Sequence, residues 1–186
     1  MTRMHWASLV RVGLVAGLVQ VLAGAAMYLS GVYFEPWSLP LIMILTVVSI
    51  ATGNWWYGKH VLAGQTTYWS ALLVGVGMSV LMAAVYATYN LVSVSFIYPH
   101  FMEDMVQAEF DRASVGLDPA QAAQLLGSLR SQLTLPGLAL GNFVGGCRFG
   151  TMASVLVALG FMAQWRRLRR PGREKVGGPE ARLDSV

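Results

Sequence analysis

Apolar residues in this chain are gathered into four long blocks that are separated by polar stretches. A helix needs about 20 apolar residues to cross the roughly 30 Å hydrocarbon core of a bilayer. Each block is long enough, so we predict an all-α fold in which a four-helix transmembrane bundle occupies residues 1–170. The predicted spans cover residues 9–31, 39–55, 69–98 and 137–165, and the polar tail over 171–186 is predicted to be a disordered cytoplasmic segment.

The segment between the third and fourth spans, residues 99–136, carries apolar residues at helical spacing. Met102, Val106 and Phe110 recur every four residues with acidic residues between them, which is typical of an amphipathic helix. Asp118 followed by Pro119 is a favourable N-cap and first-turn pair for a second helix. We therefore predict two short amphipathic helices, which either cover the end of the bundle or present a docking face to a partner.

Charged residues are few, and their placement predicts the orientation of the bundle. They make up 12% of the chain, against about 25% in a typical soluble domain. Arg11, Lys59 and the basic cluster at 166–170 flank the spans on one side, whereas six of the nine acidic residues lie on the other. The positive-inside rule then places both termini in the cytoplasm (N-in, C-in) and residues 99–136 outside. All six tryptophans fall at predicted span ends, where indole rings prefer the membrane–water interface.

Motifs for catalysis, metal binding or nucleotide binding are missing from the sequence. The HExxH, CxxC, GxSxG and phosphate-loop patterns do not occur. The single cysteine, Cys147, excludes an intrachain disulfide and a cysteine-based metal site. We predict no enzyme activity, no metal site and no cofactor. Nucleic acid is not an expected partner, because the basic cluster adjoins a span and has no folded basic domain around it.

One charged residue, Arg148, lies deep within the fourth predicted span. A guanidinium in hydrocarbon is unfavourable, so we expect Arg148 to face the bundle interior and to meet hydrogen-bond acceptors there. Gln20, Tyr86 and Asn90 fall at a similar depth in the first and third spans, and Asn142 lies somewhat nearer the outside. These residues form a predicted polar layer that contains no carboxylate.

The missing counter-ion leaves three interpretations of Arg148. It is a structural residue that bonds neutral oxygens of neighbouring helices. It binds an anionic ligand that enters from outside, such as a lipid headgroup or a small carboxylate. Otherwise, it pairs with a carboxylate from another subunit.

Three glycines of the fourth span, Gly137, Gly141 and Gly145, form a GxxxGxxxG run. Glycines on one face let two helix backbones approach closely. Such packing drives helix association in a membrane, where lipid tails and neighbouring helices are equally apolar. We predict that this face packs within the bundle, with a homo-oligomeric or heteromeric interface as the alternative.

Three features of the middle of the chain carry a family resemblance. They are the short basic loop Tyr57–Lys59, the glycine-rich and then tyrosine-rich span over Gly75–Tyr89, and the run Phe96–Glu103 with an Ile–x–Pro–x–Phe-type exit. In these features the chain resembles the domain-of-unknown-function 4199 family, small bacterial inner-membrane proteins with four spans. The resemblance implies a multi-pass protein of the bacterial cytoplasmic membrane, and it implies neither an activity nor a set of site residues.

Together these patterns favour a non-enzymatic accessory or scaffold subunit that acts through helix–helix contacts and the external helices. The alternative is a small transporter or channel component that binds an anionic ligand or a lipid at the Arg148 layer. The predicted spans contain no Asp or Glu, the residues with which transporters commonly couple ions. The expected partners are the lipid bilayer and either other membrane subunits or further copies of the chain.

Overall fold

The computed structural model describes residues 6–62 and 66–168, with the side chains of the last helix described as far as Met162. Across these residues the regular structure is helical, with six helices and no strand. The helices are α1 (Trp6–Leu29), α2 (Ser38–His60), α3 (Tyr68–Phe96), α4 (Phe101–Ala113), α5 (Pro119–Gln132) and α6 (Leu135–Leu168). Four of them, α1, α2, α3 and α6, are long and apolar enough to cross a membrane, which confirms the all-helical class and the four span candidates. The predicted tail over 171–186 lies outside the described residues.

The second long helix extends beyond the predicted end of its span. Helix α2 continues to His60 instead of stopping near Trp55. The Lys59 ammonium lies 5.2 Å from the ring centroid of Trp55, and the His60 ring stacks on Trp56 with a centroid separation of 5.1 Å. Pairs four residues apart stabilise a helical turn, so the residues expected to form a short basic loop are instead the last turn of α2.

Helix α3 contacts each of the other three long helices, most extensively α6 and then α1. Two glycines of α1 make its close approach to α3 possible. A Cβ atom at Gly13 would lie 2.7 Å from Leu81 Cδ1, and one at Gly17 would lie 2.9 Å from Val85 Cβ. The hydrophobic core lies among the long helices and contains Leu9, Ala16, Ile50, Tyr57, Leu62, Val74, Met78, Met82 and Ala153.

Helix α6 packs on α3 through Gly146 and Gly150. A Cβ atom at Gly150 would lie 2.4 Å from both Cβ and Oγ of Ser79, and one at Gly146 would lie 3.0 Å from Ala83 Cβ. Both distances are shorter than ordinary van der Waals contact, so the two helices meet with the glycine backbone directly against a small side chain.

The predicted packing of Gly137, Gly141 and Gly145 inside the bundle is wrong. Nothing lies within 4 Å of a Cβ atom placed at Gly141 or Gly145, and the nearest neighbour of Gly137 is Thr134, one turn earlier in the chain. Successive helical residues are rotated by about 100°, so Gly145 lies roughly 140° around the helix from Gly150. The glycine run therefore occupies a different side of α6 from the one that faces α3.

Two capping boxes set the starts of helices that follow loops. Thr67 accepts a hydrogen bond from the Ser70 backbone N–H ahead of α3, and the Ser70 hydroxyl accepts one from Thr67 N–H. Asp118 accepts from Gln121 N–H at 2.8 Å, and Pro119 occupies the first turn of α5. The predicted pair of Asp118 and Pro119 at a helix start is confirmed, because the carboxylate satisfies a backbone donor that the helix leaves free.

Helices α4 and α5 lie beyond the end of the bundle where α3 ends and α6 begins. The ring of Phe101 in α4 lies 5.2 Å from that of Tyr28, 5.4 Å from Tyr33 and 5.6 Å from Phe34, measured between centroids. We call these four residues the aromatic cluster. The Tyr28 hydroxyl donates a 2.8 Å hydrogen bond to Asp104 in α4, so α4 is fixed to the end of α1. Helix α5 contacts α4 and has no buried residue.

Candidate functional site

A cavity of about 270 Å³ lies between the four long helices. Gln20 and Met82 belong to its buried inner wall, whereas Leu39 and Met43 of α2 and Gly145 of α6 are exposed at its edge. The cavity therefore opens between α2 and α6, on a side of the bundle that would face lipid. Its size approaches the roughly 300–1,000 Å³ of small-molecule sites.

One polar wall of the cavity joins α1 to α2. Gln20 Nε2 donates to Thr46 Oγ1 at 2.7 Å, and the Thr46 hydroxyl donates to the Ile42 carbonyl at 2.9 Å. Both polar side chains are 9% exposed. The other end of the Gln20 amide makes no hydrogen bond with the described residues, so it can bond a molecule in the cavity.

A second polar wall links the cavity to the aromatic cluster. The hydroxyl oxygens of Tyr33 and Tyr86 lie 3.1 Å apart, and Tyr86 lines the cavity. Burial raises the pKa of Tyr33, and either of the two hydroxyls can be the donor of this hydrogen bond. Gly24 allows this arrangement, because a Cβ atom there would lie 3.2 Å from the Tyr86 hydroxyl. The loop after α1 is thus connected directly to the bundle interior.

The two asparagines of the predicted layer occupy different environments. Asn142 is half-buried, lines the cavity and makes no hydrogen bond with the described residues. Asn90 is 4% exposed and is not among the residues that line the cavity. Its Nδ2 is buried without a hydrogen-bond partner in the described part of the chain. A buried polar group without a partner lowers stability, so Asn90 is an unfavourable residue of the core and does not line the cavity.

Arg148 lies on the outward side of α6, which corrects the expectation that it faces the bundle interior. Its side chain is exposed and makes no hydrogen bond or ion pair with the described residues. Arg148 and Gly150 are two residues apart, which places them about 200° apart around the helix. Because Gly150 must face Ser79 on α3, Arg148 is turned away from α3, and it is not among the residues that line the cavity.

The outward side of α6 forms a continuous surface around Arg148. Gly141 and Gly145 precede Arg148 by about two turns and one turn, and Met152 follows one turn later. All four residues are exposed, and Met152 retains 67% of its surface, while Gly141 and Gly145 also lie at the open edge of the cavity. We call Gly141, Gly145, Arg148 and Met152 the outer face of α6. This face combines small residues, which let another helix approach closely, with a single positive charge.

The cavity itself contains amide and hydroxyl groups but no ionisable acid or base other than a tyrosine. No group of three or more His, Cys, Asp or Glu suitable for a metal ion occurs among residues 6–62 and 66–168. The arrangement can bond a neutral molecule, but it supplies no cation for an anionic one.

Comparison with known proteins places the chain in a family. The sequence model of the DUF4199 family, described as a protein of unknown function, matches residues 11–163. The chain belongs to the DUF4199 family. No curated protein and no solved structure matches it.

The family match covers the residues that carried the resemblance and most of the DUF4199 bundle. Tyr57, from the predicted basic loop, is 1% exposed and forms part of the core. The run Phe96–Glu103 contains the end of α3 and the start of α4, and its Phe101 belongs to the aromatic cluster. The resemblance therefore includes residues that are buried in the DUF4199 structure, such as Tyr57 and Phe101.

The tertiary structure of this DUF4199 protein brings together only some residues of the predicted polar layer. Gln20, Tyr86 and Asn142 line one cavity, Asn90 is buried but does not line it, and Arg148 lies on the side of α6 that is turned away from α3. Sequence reasoning did not assign Tyr33 to this layer. Its sequence signal is an aromatic run after the first span, which also fits an interfacial belt, so only the contact with Tyr86 reveals the role of Tyr33.

Proposed function

We propose that this protein is a non-enzymatic accessory or scaffold subunit that binds a spanning helix of another membrane protein on the outer face of α6. The observation that supports this function is the exposed guanidinium of Arg148, which has no partner among the described residues. Family membership supplies no competing activity, because the family is described as one of unknown function.

The depth of Arg148 is what makes its exposure significant. Along the apolar part of α6, Leu135–Met162, it lies thirteen residues from one end and fourteen from the other. These separations correspond to about 20 Å in either direction, which is more than an arginine side chain can span to reach water. Exposure to hydrocarbon at mid-span costs between about 2.5 kcal/mol on insertion scales and more than about 10 kcal/mol in simulations. A helix that covers Arg148 with acceptors removes this cost.

The glycines beside Arg148 support a helix as the covering element. Gly141 and Gly145 have no neighbour within 4 Å of a Cβ position, so a partner backbone has room to approach. Where lipid tails and helices are equally apolar, small residues and polar groups provide the packing and hydrogen bonds that favour association. The outer face of α6 offers both.

The proposed assembly lies in the bacterial inner membrane with both termini in the cytoplasm. Arg11 and Trp56 line one groove, so the start of α1 and the end of α2, which carries Lys59, lie at one end of the bundle. The acidic residues of α4 lie at the other end. This distribution supports the N-in, C-in orientation through the positive-inside rule. Helix α5, which has no buried residue, is the proposed external docking helix.

A test in native membranes compares the wild-type chain with matched leucine variants. The full-length chain is purified in mild detergent, and the proteins retained in fixed stoichiometry are identified. Gly145→Leu and Arg148→Leu are expected to lose these proteins, because they fill or neutralise the outer face. Gly160→Leu is the control, since Gly160 also has nothing within 4 Å of a Cβ position but lies roughly 120° around α6 from Arg148. The proposal fails if no stoichiometric partner is retained, or if all three variants retain it equally.

A second candidate function is supported by the cavity. Its opening between α2 and α6 and its amide and hydroxyl groups suit a neutral, lipid-soluble molecule with one hydrogen-bonding group. Arg148 does not line this cavity, so an anionic ligand has less support there than a neutral one.

Photolabelling with a diazirine-bearing fatty alcohol tests this second function. The purified chain in lipid nanodiscs is expected to be labelled on peptides that line the cavity, and Asn142→Leu is expected to reduce that labelling by filling the space. Gly160→Leu should be labelled like the wild type. Equal labelling of Asn142→Leu and Gly160→Leu would exclude the cavity as a ligand site.

A further inference from the structure

The four long helices that the structure describes contain no acid that can neutralise Arg148 at its depth. Helices α1, α2, α3 and α6 contain no Asp or Glu. The acids of α4 lie beyond the end of the bundle, and Asp104, for example, bonds Tyr28 at the end of α1. A charge balance for Arg148 must therefore come from outside these described helices.

A second copy of the chain does not supply the missing charge. Every copy carries the same four long helices without carboxylates, so no mode of self-association through these helices brings an acid to mid-depth. A two-fold interface through the outer face of α6 would also bring two Arg148 side chains toward each other. Like charges repel strongly in a medium of low dielectric constant, so this interface is unfavourable.

We propose that the occupant of the outer face of α6 is a different protein, whose spanning helix carries an Asp or Glu at mid-bilayer depth in an ion pair with Arg148. This inference rests on the proposed function and specifies the chemistry of the partner. The planar guanidinium can donate two parallel hydrogen bonds to one carboxylate, which satisfies both charges in a single geometry. Gly141 and Gly145 let the partner backbone approach closely enough for a short acidic side chain to reach Arg148.

An anionic lipid headgroup has the same charge as a carboxylate but lies at a different depth. The hydrocarbon core is about 30 Å thick, so a phosphate at its boundary lies about 15 Å from the bilayer centre. Arg148 lies near the middle of its apolar helix, and a phosphate would reach it only if the bilayer became locally thinner. A carboxylate carried on a spanning helix is already at the correct depth.

Synthetic single-span peptides test this pairing with the full-length protein. Three polyleucine peptides that differ only in a central Glu, Gln or Leu are labelled for energy transfer and mixed with the labelled protein in phosphatidylcholine vesicles. The Glu peptide is expected to bind about tenfold more tightly than the Gln peptide, as expected for a strong polar contact between helices. The preference should disappear in Arg148→Gln, persist in part in Arg148→Lys, and remain in Gly160→Leu.

Specific results would overturn the inference. Equal binding of the Glu and Leu peptides would show that the outer face does not select a carboxylate. A Glu preference that persists in Arg148→Gln would assign it to another residue. If phosphatidylglycerol in the vesicles abolishes the preference, an anionic headgroup is the occupant, whereas an unchanged preference supports the carboxylate helix.

Failure of this inference differs from failure of the proposed function. A stoichiometric native partner whose spans lack Asp and Glu at mid-depth would refute the ion pair and leave the subunit function intact. The absence of any retained partner would refute the subunit function, and the peptides would still report whether Arg148 selects a carboxylate.

Discussion

Arg148 and Gly150 are separated by one residue on α6, yet they lie on opposite sides of this helix. Gly150 lies against Ser79, where an added Cβ atom would be 2.4 Å from the serine Cβ, while Arg148 is exposed on the outer face. The contact between Gly150 and Ser79 fixes the rotation of α6 about its own axis. That rotation decides that the only charge in the middle of the span faces outward, so packing against α3 determines which side chains α6 presents on its outer face.

Gly150→Ala is expected to destabilise the bundle by about 1–3 kcal/mol, because the new methyl group overlaps Ser79 and forces α3 and α6 apart. Gly160→Ala adds the same methyl group to the same helix where nothing lies within 4 Å. It should be neutral or stabilising by up to about 1 kcal/mol through helix propensity. Thermal unfolding in detergent measures both. Equal stability of the two variants would contradict the assigned interface.

The hydrogen bond between Tyr33 and Tyr86 should appear as a coupling between the two residues. Tyr33→Phe and Tyr86→Phe are each expected to lower the free energy of unfolding by about 0.5–1.5 kcal/mol, since each leaves the other hydroxyl without its partner. The double variant should cost less than the sum of the single variants. Strict additivity in this cycle would mean that the two hydroxyls do not interact.

Tyr33, in the loop after α1, should make the stability of the protein depend on pH in the alkaline range. Burial raises the pKa of Tyr33 above its ordinary value, so the unfolded chain loses this proton before the folded chain does. The stabilisation from protonated Tyr33 is therefore complete below the ordinary tyrosine pKa of about 10 and is lost as the pH rises above it. Unfolding measured across this range should show a smaller alkaline loss of stability in Tyr33→Phe than in the wild type.

Asp104→Ala is expected to loosen α4 without unfolding the bundle. It removes the 2.8 Å hydrogen bond from Tyr28, which joins α4 to the end of α1. Hydrogen exchange across Phe101–Ala113 should accelerate, while exchange in α3 remains slow. Asp111→Ala is the matched control, because Asp111 bonds Gln107 within the same helix and makes no link to α1. Unchanged exchange in Asp104→Ala would show that the aromatic cluster, together with the hydrogen bond that Arg112 donates to the Phe34 carbonyl, is sufficient to hold α4.

Asn90→Leu is expected to raise the stability of the isolated chain, because it removes a buried Nδ2 that has no partner in the described structure. The gain should be about 1–3 kcal/mol, less any strain from the leucine shape. Combined with Arg148→Gln, the effects should add, since Arg148 makes no hydrogen bond with Asn90. A strong coupling between these two variants would place Arg148 in the interior polar layer after all.

Local sequence features predicted the elements of this protein, and they did so because each acts over short distances. The length of four apolar blocks fixed the number of long helices, and Asp118 with Pro119 marked the start of α5. The described tryptophan side chains are exposed and lie at helix ends, as their amphipathic rings require. The sequence also predicted the depth of a residue along its span, because the rise per residue of a helix is fixed. Gln20 and Tyr86, predicted to lie at one depth, line the same cavity.

Which side of each helix faces inward was decided by tertiary structure alone. In a soluble protein the polar side of a helix marks the surface, but in a membrane the lipid-facing and core-facing sides are both apolar. Helix α6 carries glycines on two sides: the run from Gly137 to Gly145, which we predicted to pack within the bundle, and the pair Gly146 and Gly150. Contact with Ser79 and Ala83 selected the pair. The same contact turned Arg148 away from α3, because a helix can bury only one of its opposite sides against α3.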